Sequence, residues 1–247
     1  MDATLQPVLI GEFLGTLILI LLGGGVVANV VLKESKGHNS GWIVITTGWF
    51  IAVCIGVFVA QSAGDINADI NPAVTLAKYW LGHYSITTTL WIIPTQVTGA
   101  FCGATLVWLA YHPHWQVTAD ADLKRQVFCT QPAILHYPSN LLNEVIGTAT
   151  LVLGIGAIFG NATSSHPASG FGPYLVGILV WGIGLSLGGA TGYAINPARD
   201  LGPRIAHSIL PIAGKSDSNW KYAWVPIIGP IIGSIISTII WKYVFGG

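Results

Sequence analysis

The feature that most constrains this chain is where it carries no charge. Residues 37–64, 79–119 and 145–198 contain no Asp, Glu, Lys or Arg, and the last stretch is long enough for more than two membrane crossings. Across 247 residues there are 10 basic and 10 acidic side chains, 8% charged where ordinary globular domains have about 25%, while 52% are hydrophobic. Such a chain cannot cover a water-facing surface, which excludes a soluble enzyme and a disordered tail. A formal net charge of zero excludes affinity drawn from nucleic-acid phosphates. Lipid is the remaining solvent. A β-barrel would alternate apolar and polar residues, and the run Leu17-Ile18-Leu19-Ile20-Leu21-Leu22 does not, so the expected fold is an all-α membrane protein.

A bilayer core of about 30 Å takes about 20 helical residues, so this length accommodates about six spans plus loops. The spans are expected over 8–32, 41–62, 86–110, 140–160, 173–190 and 223–243, in a single channel-sized domain covering 1–247. The linkers 33–40, 111–138 and 208–222 collect most of the Lys, Asp and His, with Pro113, Pro132, Pro138 and Pro211 as breakers. Met1-Asp2-Ala3-Thr4 has no basic region and the apolar stretch behind it outruns a signal peptide, so the first helix is expected to be retained. The short tails suggest a prokaryotic plasma membrane. Cys54, Cys102 and Cys129 lie far apart and read as small core residues. His112, His114 and His136 share one connection and read as polar loop residues; no metal, cofactor or catalytic group is expected.

Two more segments, Asn71 to Leu81 and Asn196 to His207, are too apolar for free loops and, at 1.5 Å per residue, reach only about half the core. Each reads as a half-helix. The chain also repeats itself: Gly11-Glu12-Phe13-Leu14-Gly15-Thr16 returns as Asn143-Glu144-Val145-Ile146-Gly147-Thr148, Asn71-Pro72-Ala73 as Asn196-Pro197-Ala198, and Gly99 with Gly103 as Gly229 with Gly233. The shared order implies a duplication, with copies over about 8–110 and 140–243. Three spans per copy is odd, so the second copy enters the membrane inverted, an arrangement that places a solute site at the repeat interface near the midplane.

Asn is a favoured helix N-cap and Pro a favoured first helical residue, so each Asn-Pro-Ala is a helix start. In inverted copies both starts point at the bilayer centre, each carrying about half a positive charge. Asn71 and Asn196 then cap their helices through side-chain oxygens, leaving amide N–H groups to donate to a passing oxygen. A water that accepts from both turns its hydrogens toward the two mouths. The proton-conducting chain is thereby broken, and cations are repelled.

Through these paired boxes, the two Glu-bearing first helices and the inverted repeat, the sequence resembles the major intrinsic proteins, the aquaporin and glycerol-facilitator channels, over about residues 8–243. The resemblance implies six tilted spans, two re-entrant half-helices, one pore per subunit and homotetramers in lipid. It places a selectivity filter at Arg199, Tyr193, Gly184 and one residue of the second span, Trp49 or Ile51. Asp200 after the arginine points to the glycerol branch, with Gly184 leaving room, Tyr193 walling a carbon skeleton and Arg199 donating to hydroxyls. A membrane arginine costs about 2.5–3.5 kcal/mol on insertion scales, so the alternative for Arg199 is a structural pair with Asp200 or a carbonyl. Irregular backbone at membrane depth must line a cavity or be buried, which makes Asn67, Ala68, Asp69 and Ile70, with Gly192, Ala194 and Ile195, the candidates for a ladder of carbonyls. Glu12 and Glu144 are the expected anchors of these loops.

One departure stands out. The family usually has His where this chain has Asp69, with Asp65 nearby; the choice is between a group facing the pore and a cap on loop peptides, the latter favoured. The expected function is passive passage of glycerol and other small neutral solutes, with water, excluding protons and ions. Protonated lactic acid or urea is the alternative solute, and an ion-coupled secondary transporter the alternative class. The family topology, with cytoplasmic termini, puts Lys33, Lys36, Lys124, Arg125, Lys215 and Lys221 outside and Lys78 and Lys242 inside, against the positive-inside rule.

Overall fold

The computed structural model describes residues 5–160, 168 and 170–244; the expectations about Met1–Thr4 lie outside them. The chain forms helices α1 (Leu5–Val31), α2 (Trp42–Ser62), α3 (Pro72–Trp80), α4 (Ile86–Ala110), α5 (His114–Val117), α6 (Ala121–Gln126), α7 (Tyr137–Phe159), α8 (Gly172–Ser186), α9 (Pro197–Ile209) and α10 (Val225–Val244). Among the described residues, α1, α2, α4, α7 and α10 are long and apolar enough to cross a membrane, and α8 is a sixth, shorter apolar helix of 15 residues. With 9 and 13 residues, α3 and α9 reach only part of the way.

Each half is built around its first helix. α1 packs on α2 and α4, α7 on α8 and α10, α2 meets α8, and each half-helix docks on the last long helix of the other half, α9 on α4 and α3 on α10. Glycine makes this approach possible. A Cβ on Gly99 or Gly103 would collide with the carbonyls of Phe13 and Leu17, and one on Gly229 or Gly233 with Glu144 and the Val145 carbonyl. These pairs therefore pack within the subunit, as small residues do where membrane helices touch.

Two boundaries differ from the sequence expectation. α8 stops at Ser186 rather than near residue 190, because Gly188 and Gly189 favour helix weakly and the Tyr193 ring occupies the space over Gly188. The connection 111–138 is not a plain linker. Asp120 caps α6 by accepting from the Asp122 and Leu123 amides, the Trp115 indole donates to the Trp108 carbonyl, and Val127 to Thr130 run fully buried into the interior.

Several of the basic residues that the family topology would place outside are committed to internal partners. The Lys215 ammonium donates to the carbonyls of His207, Ser208 and Leu210 at 2.6–2.9 Å, closing the C-terminus of α9. Lys124 donates to the Ala213 carbonyl, and Arg125 holds Asp122, Gln131 and Ser216. Burial lowers the pKa of both lysines.

Candidate functional site: two re-entrant loops around one cavity

The segments before the half-helices have matching, costly backbones. Ala68 and Ile70 lie at φ 43° and 45°, Tyr193 and Ile195 at 38° and 43°, in the left-handed region that side-chain-bearing residues avoid. Strain of this kind, about 1–3 kcal/mol per residue, persists only where surroundings over-determine it. Here the surroundings are two buried carboxylates. Glu12 accepts from the amides of Asp69 (2.7 Å) and Ile70 (2.8 Å), and Glu144 from those of Ala194 (3.0 Å) and Ile195 (2.8 Å). In each loop two successive N–H groups thus face one carboxylate, as in an anion-binding nest. Gln96 adds a bond to Glu12 at 2.8 Å and Thr191 one to Glu144 at 2.7 Å.

The asparagines cap and brace at once. Asn71 Oδ1 accepts from the Ala73 amide, while Asn196 Oδ1 accepts from those of Ala198 and Arg199. Asn71 Nδ2 also donates to the Ile195 carbonyl at 2.9 Å, and Asn196 Nδ2 to the Ile70 carbonyl at 2.8 Å. The N-termini of α3 and α9 thus meet tip to tip. One N–H of each amide is taken by this brace, so one, rather than two, remains for a passing oxygen.

A cavity of about 420 Å³ runs past both loops. It is lined by Asn67 to Asn71 and Tyr193 to Asn196 and by the apolar side chains of Val53, Val57, Leu151, Ile155, Val176 and Val180. Arg199 and Trp49 line it together, the guanidinium 4.2 Å from the indole centroid, a cation–π contact seated on Gly23. Ile51 is not in the lining and is 48% exposed, so of the two second-span candidates it is Trp49 that reaches the cavity. Gly184 and Gly192 are not in the lining either. A Cβ at Gly184 would sit 2.8 Å from Tyr193 Cζ, so this glycine makes room for the tyrosine ring rather than for a solute. Gly192, at φ 81°, supplies a turn beneath Thr130.

The sequence model of the family described as Major intrinsic protein matches residues 3–241. The chain belongs to the major intrinsic protein family. It is 57% identical over 241 residues to the "Probable glycerol uptake facilitator protein" of Thermotoga maritima, covering 97% of this chain and 100% of that one. It is 48% identical over 237 residues to the "Glycerol uptake facilitator protein" of Bacillus subtilis, covering 96% and 84%. Among solved structures it is similar to the aquaglyceroporin from Plasmodium falciparum, with a TM-score of 0.84, 26% identity and coverage of 98% and 97%. As in other major intrinsic proteins, the fold is a multi-pass membrane bundle with two re-entrant half-helices.

Against that family background, Asp69 does not cap loop peptides. Its carboxylate pairs with Lys78 and accepts from the Thr75 hydroxyl at 2.9 Å, while Lys78 also donates to the Asn67 carbonyl; the loop-peptide cap belongs to Asp65, which accepts from the Asn67 amide. Nor does Arg199 pair with Asp200. Among the described residues its guanidinium donates to the Phe128 carbonyl at 3.4 Å, and Asp200 pairs with Arg204 at 2.7 Å. Three contributors carry no motif: Trp42, whose ring meets Tyr193 edge-on at 5.8 Å and whose indole donates to the Gly184 carbonyl, Gln96, and the buried segment 127–130. Burial pushes the Cys129 thiol in that segment up to about 12, so it stays neutral. His114 and His136 are structural, touching the Lys33 carbonyl and capping α7.

Proposed function

We propose that the chain is a passive channel for glycerol and similar small neutral solutes, with water, in the plasma membrane. The reading rests on one observation: a cavity lined jointly by both re-entrant loops with their cap residues Asn71 and Asn196, by aliphatic side chains, and by Arg199 over Trp49. A polyol, with hydroxyls and a carbon skeleton, suits a lining that is both polar and apolar. Its hydroxyls exchange hydrogen bonds with the loops and with the remaining N–H groups of Arg199, Asn71 and Asn196, and its carbons lie against the valines and leucines. The names of the relatives from Thermotoga maritima and Bacillus subtilis point the same way.

In this reading Arg199, Trp49 and Tyr193 form the selectivity filter, with Gly184 as the support of Tyr193. The carbonyls of Asn67 to Ile70 and Tyr193 to Ile195 form the ladder, and Glu12 and Glu144 hold it. The halves 8–110 and 140–243 are inverted copies, and the working assembly is a homotetramer of four pores. The adjoining N-termini of α3 and α9 put positive ends at the centre of the path, which repels cations and reverses the orientation of the water chain. No chemical step is required of any side chain, so the protein is not an enzyme.

Stopped-flow light scattering on proteoliposomes, with glycerol, urea, lactic acid near its pKa and water as gradients, tests this. Fast glycerol flux without proton leak, altered in Arg199→Ala, is expected. Lactic acid flux that rises as pH falls, with weak glycerol flux, would transfer the reading to an acid channel. Saturable uptake that requires an ion gradient would overturn the channel.

A further inference from the structure

The sequence singles out Asp200, yet its carboxylate does not touch the cavity. It is fully buried, and every partner it has leads to the segment 128–130 or to Arg204. Asp200 Oδ2 accepts both the backbone N–H (2.8 Å) and the hydroxyl (2.7 Å) of Thr130. Arg204, one turn along α9, closes the ring: Nε donates to Asp200 Oδ1 at 2.7 Å, Nη2 to Asp200 Oδ2 at 2.9 Å and to the Thr130 carbonyl at 3.2 Å. Nη1 of the same guanidinium holds the carbonyls of Ser218 (2.6 Å) and Asn219 (3.0 Å). Two residues before Thr130, the Phe128 carbonyl accepts from Arg199 Nη1. The Thr130 methyl packs over Gly192, next to Tyr193, and the Ala133 amide donates to the Ala190 carbonyl at 3.0 Å.

We propose that Thr130, clamped by Asp200 and Arg204, is a positioning residue for solute selection: it sets the Phe128 carbonyl that aims the Arg199 guanidinium over Trp49. The inference rests on the channel reading above and adds to it a route by which a residue outside the cavity sets specificity. Its physical basis is the mismatch between the two ends of the chain of contacts. The Arg199 end is a single bond at 3.4 Å to a loop carbonyl, too weak to fix a five-donor side chain unless the acceptor is itself immobile. The Thr130 end is a charge-assisted clamp among buried side chains, and charge-assisted bonds are short and strong. Rigidity is supplied at one end and used at the other. This also explains why an arginine with no carboxylate of its own is followed by an aspartate that has a different arginine.

The test uses full-length protein in proteoliposomes and reads the ratio of glycerol to water permeability. Thr130→Val keeps the methyl against Gly192 and the backbone N–H to Asp200 and removes only the hydroxyl. The ratio is expected to fall by about threefold or more, as small displacements of a positioning group do, and Thr130→Ser is expected to restore it. Asp200→Asn, which weakens both ends of the clamp, should fall further. A lowered melting temperature in Thr130→Val with an unchanged ratio would overturn the inference, leaving Thr130 a structural residue. The same holds if Thr130→Ser and Thr130→Val behave alike. If the unmodified protein passes water but no glycerol, it is the channel assignment that fails, and the two failures are distinguishable.

Discussion

Gly184 lies directly beneath the phenol of Tyr193, so that a Cβ at position 184 would come within 2.8 Å of the ring carbon Cζ and 2.9 Å of the hydroxyl oxygen. The ring is held from the other side by Trp42. Gly184→Ala therefore has to move the ring toward the cavity or part α8 from the loop. Overpacking of this kind costs about 1–3 kcal/mol. The protein is expected to fold with a lowered melting temperature and to lose about tenfold in glycerol flux, equivalent to about 1.4 kcal/mol of barrier. Unaltered glycerol flux in liposomes would show that the ring does not border the solute path.

Trp49 and Ile51 supply a paired comparison on one helix. Ile51→Ala removes apolar surface that faces outward, and solute flux is expected to stay within about twofold, as for surface changes generally. Trp49→Ala removes the plane on which Arg199 rests, a contact worth about 0.5–2 kcal/mol, and should broaden selectivity toward solutes larger than glycerol. Permeability to a series of polyols of increasing length measures both.

The loop anchors should be unforgiving. Glu12→Gln and Glu144→Gln each replace an acceptor of two backbone N–H groups by an amide that must present its own N–H to one of them. Bonds to charged groups are worth about 1.5–3 kcal/mol each, so folded yield and melting temperature in detergent should both drop clearly. Equal stability of either variant with the parent would contradict the anchoring geometry.

The pair at the cavity mouth obeys a different rule. Lys78→Met leaves the Asp69 carboxylate buried without its cation, whereas Asp69→Asn with Lys78→Met removes both charges. Breaking a buried pair costs more than deleting it; with the lysine side chain 22% exposed, about 1–3 kcal/mol is expected for Lys78→Met, and the double variant should recover part of it. A double-mutant cycle on thermal unfolding reads the difference, and strict additivity would refute the coupling.

Much of this arrangement is legible in the amino-acid sequence, because lipid leaves few choices. Charge-free stretches mark α2, α4 and α8, and the doubled Asn-Pro-Ala marks both half-helices to within two residues of their observed ends. The choice between Trp49 and Ile51 is not legible from counting, since an uncertain loop length shifts the register. It is decided by helix geometry: two residues apart means about 200° of rotation, so only one of them faces the cavity. That the Tyr193 ring fills the space over Gly184 is not legible for a related reason, because distance along the chain from Asn196 says nothing of which ring lies above it. Thr130, Arg204, Trp42 and Gln96 escape altogether. Each makes contacts that reach segments distant in the chain, Thr130 to Asp200, Arg204 to Thr130, Trp42 to Tyr193 and Gln96 to Glu12, and no local periodicity or spacing marks such contacts.

The reciprocal brace between the two loops has a temporal side. The Ile195 acceptor of Asn71 lies 124 residues further along the chain, and Asn196 reaches back 126 residues to Ile70. A ribosome working at about 5–20 residues per second delivers the second partner roughly 6–25 s after the first. During that interval α1 to α4 sit in the bilayer with the re-entrant loop held by Glu12 but with the Asn71 amide still without its Ile195 partner. Chaperoning by the insertion machinery, or by water held at the tip, has to bridge the wait, and truncations that end before residue 195 should be recognised as unfinished and degraded.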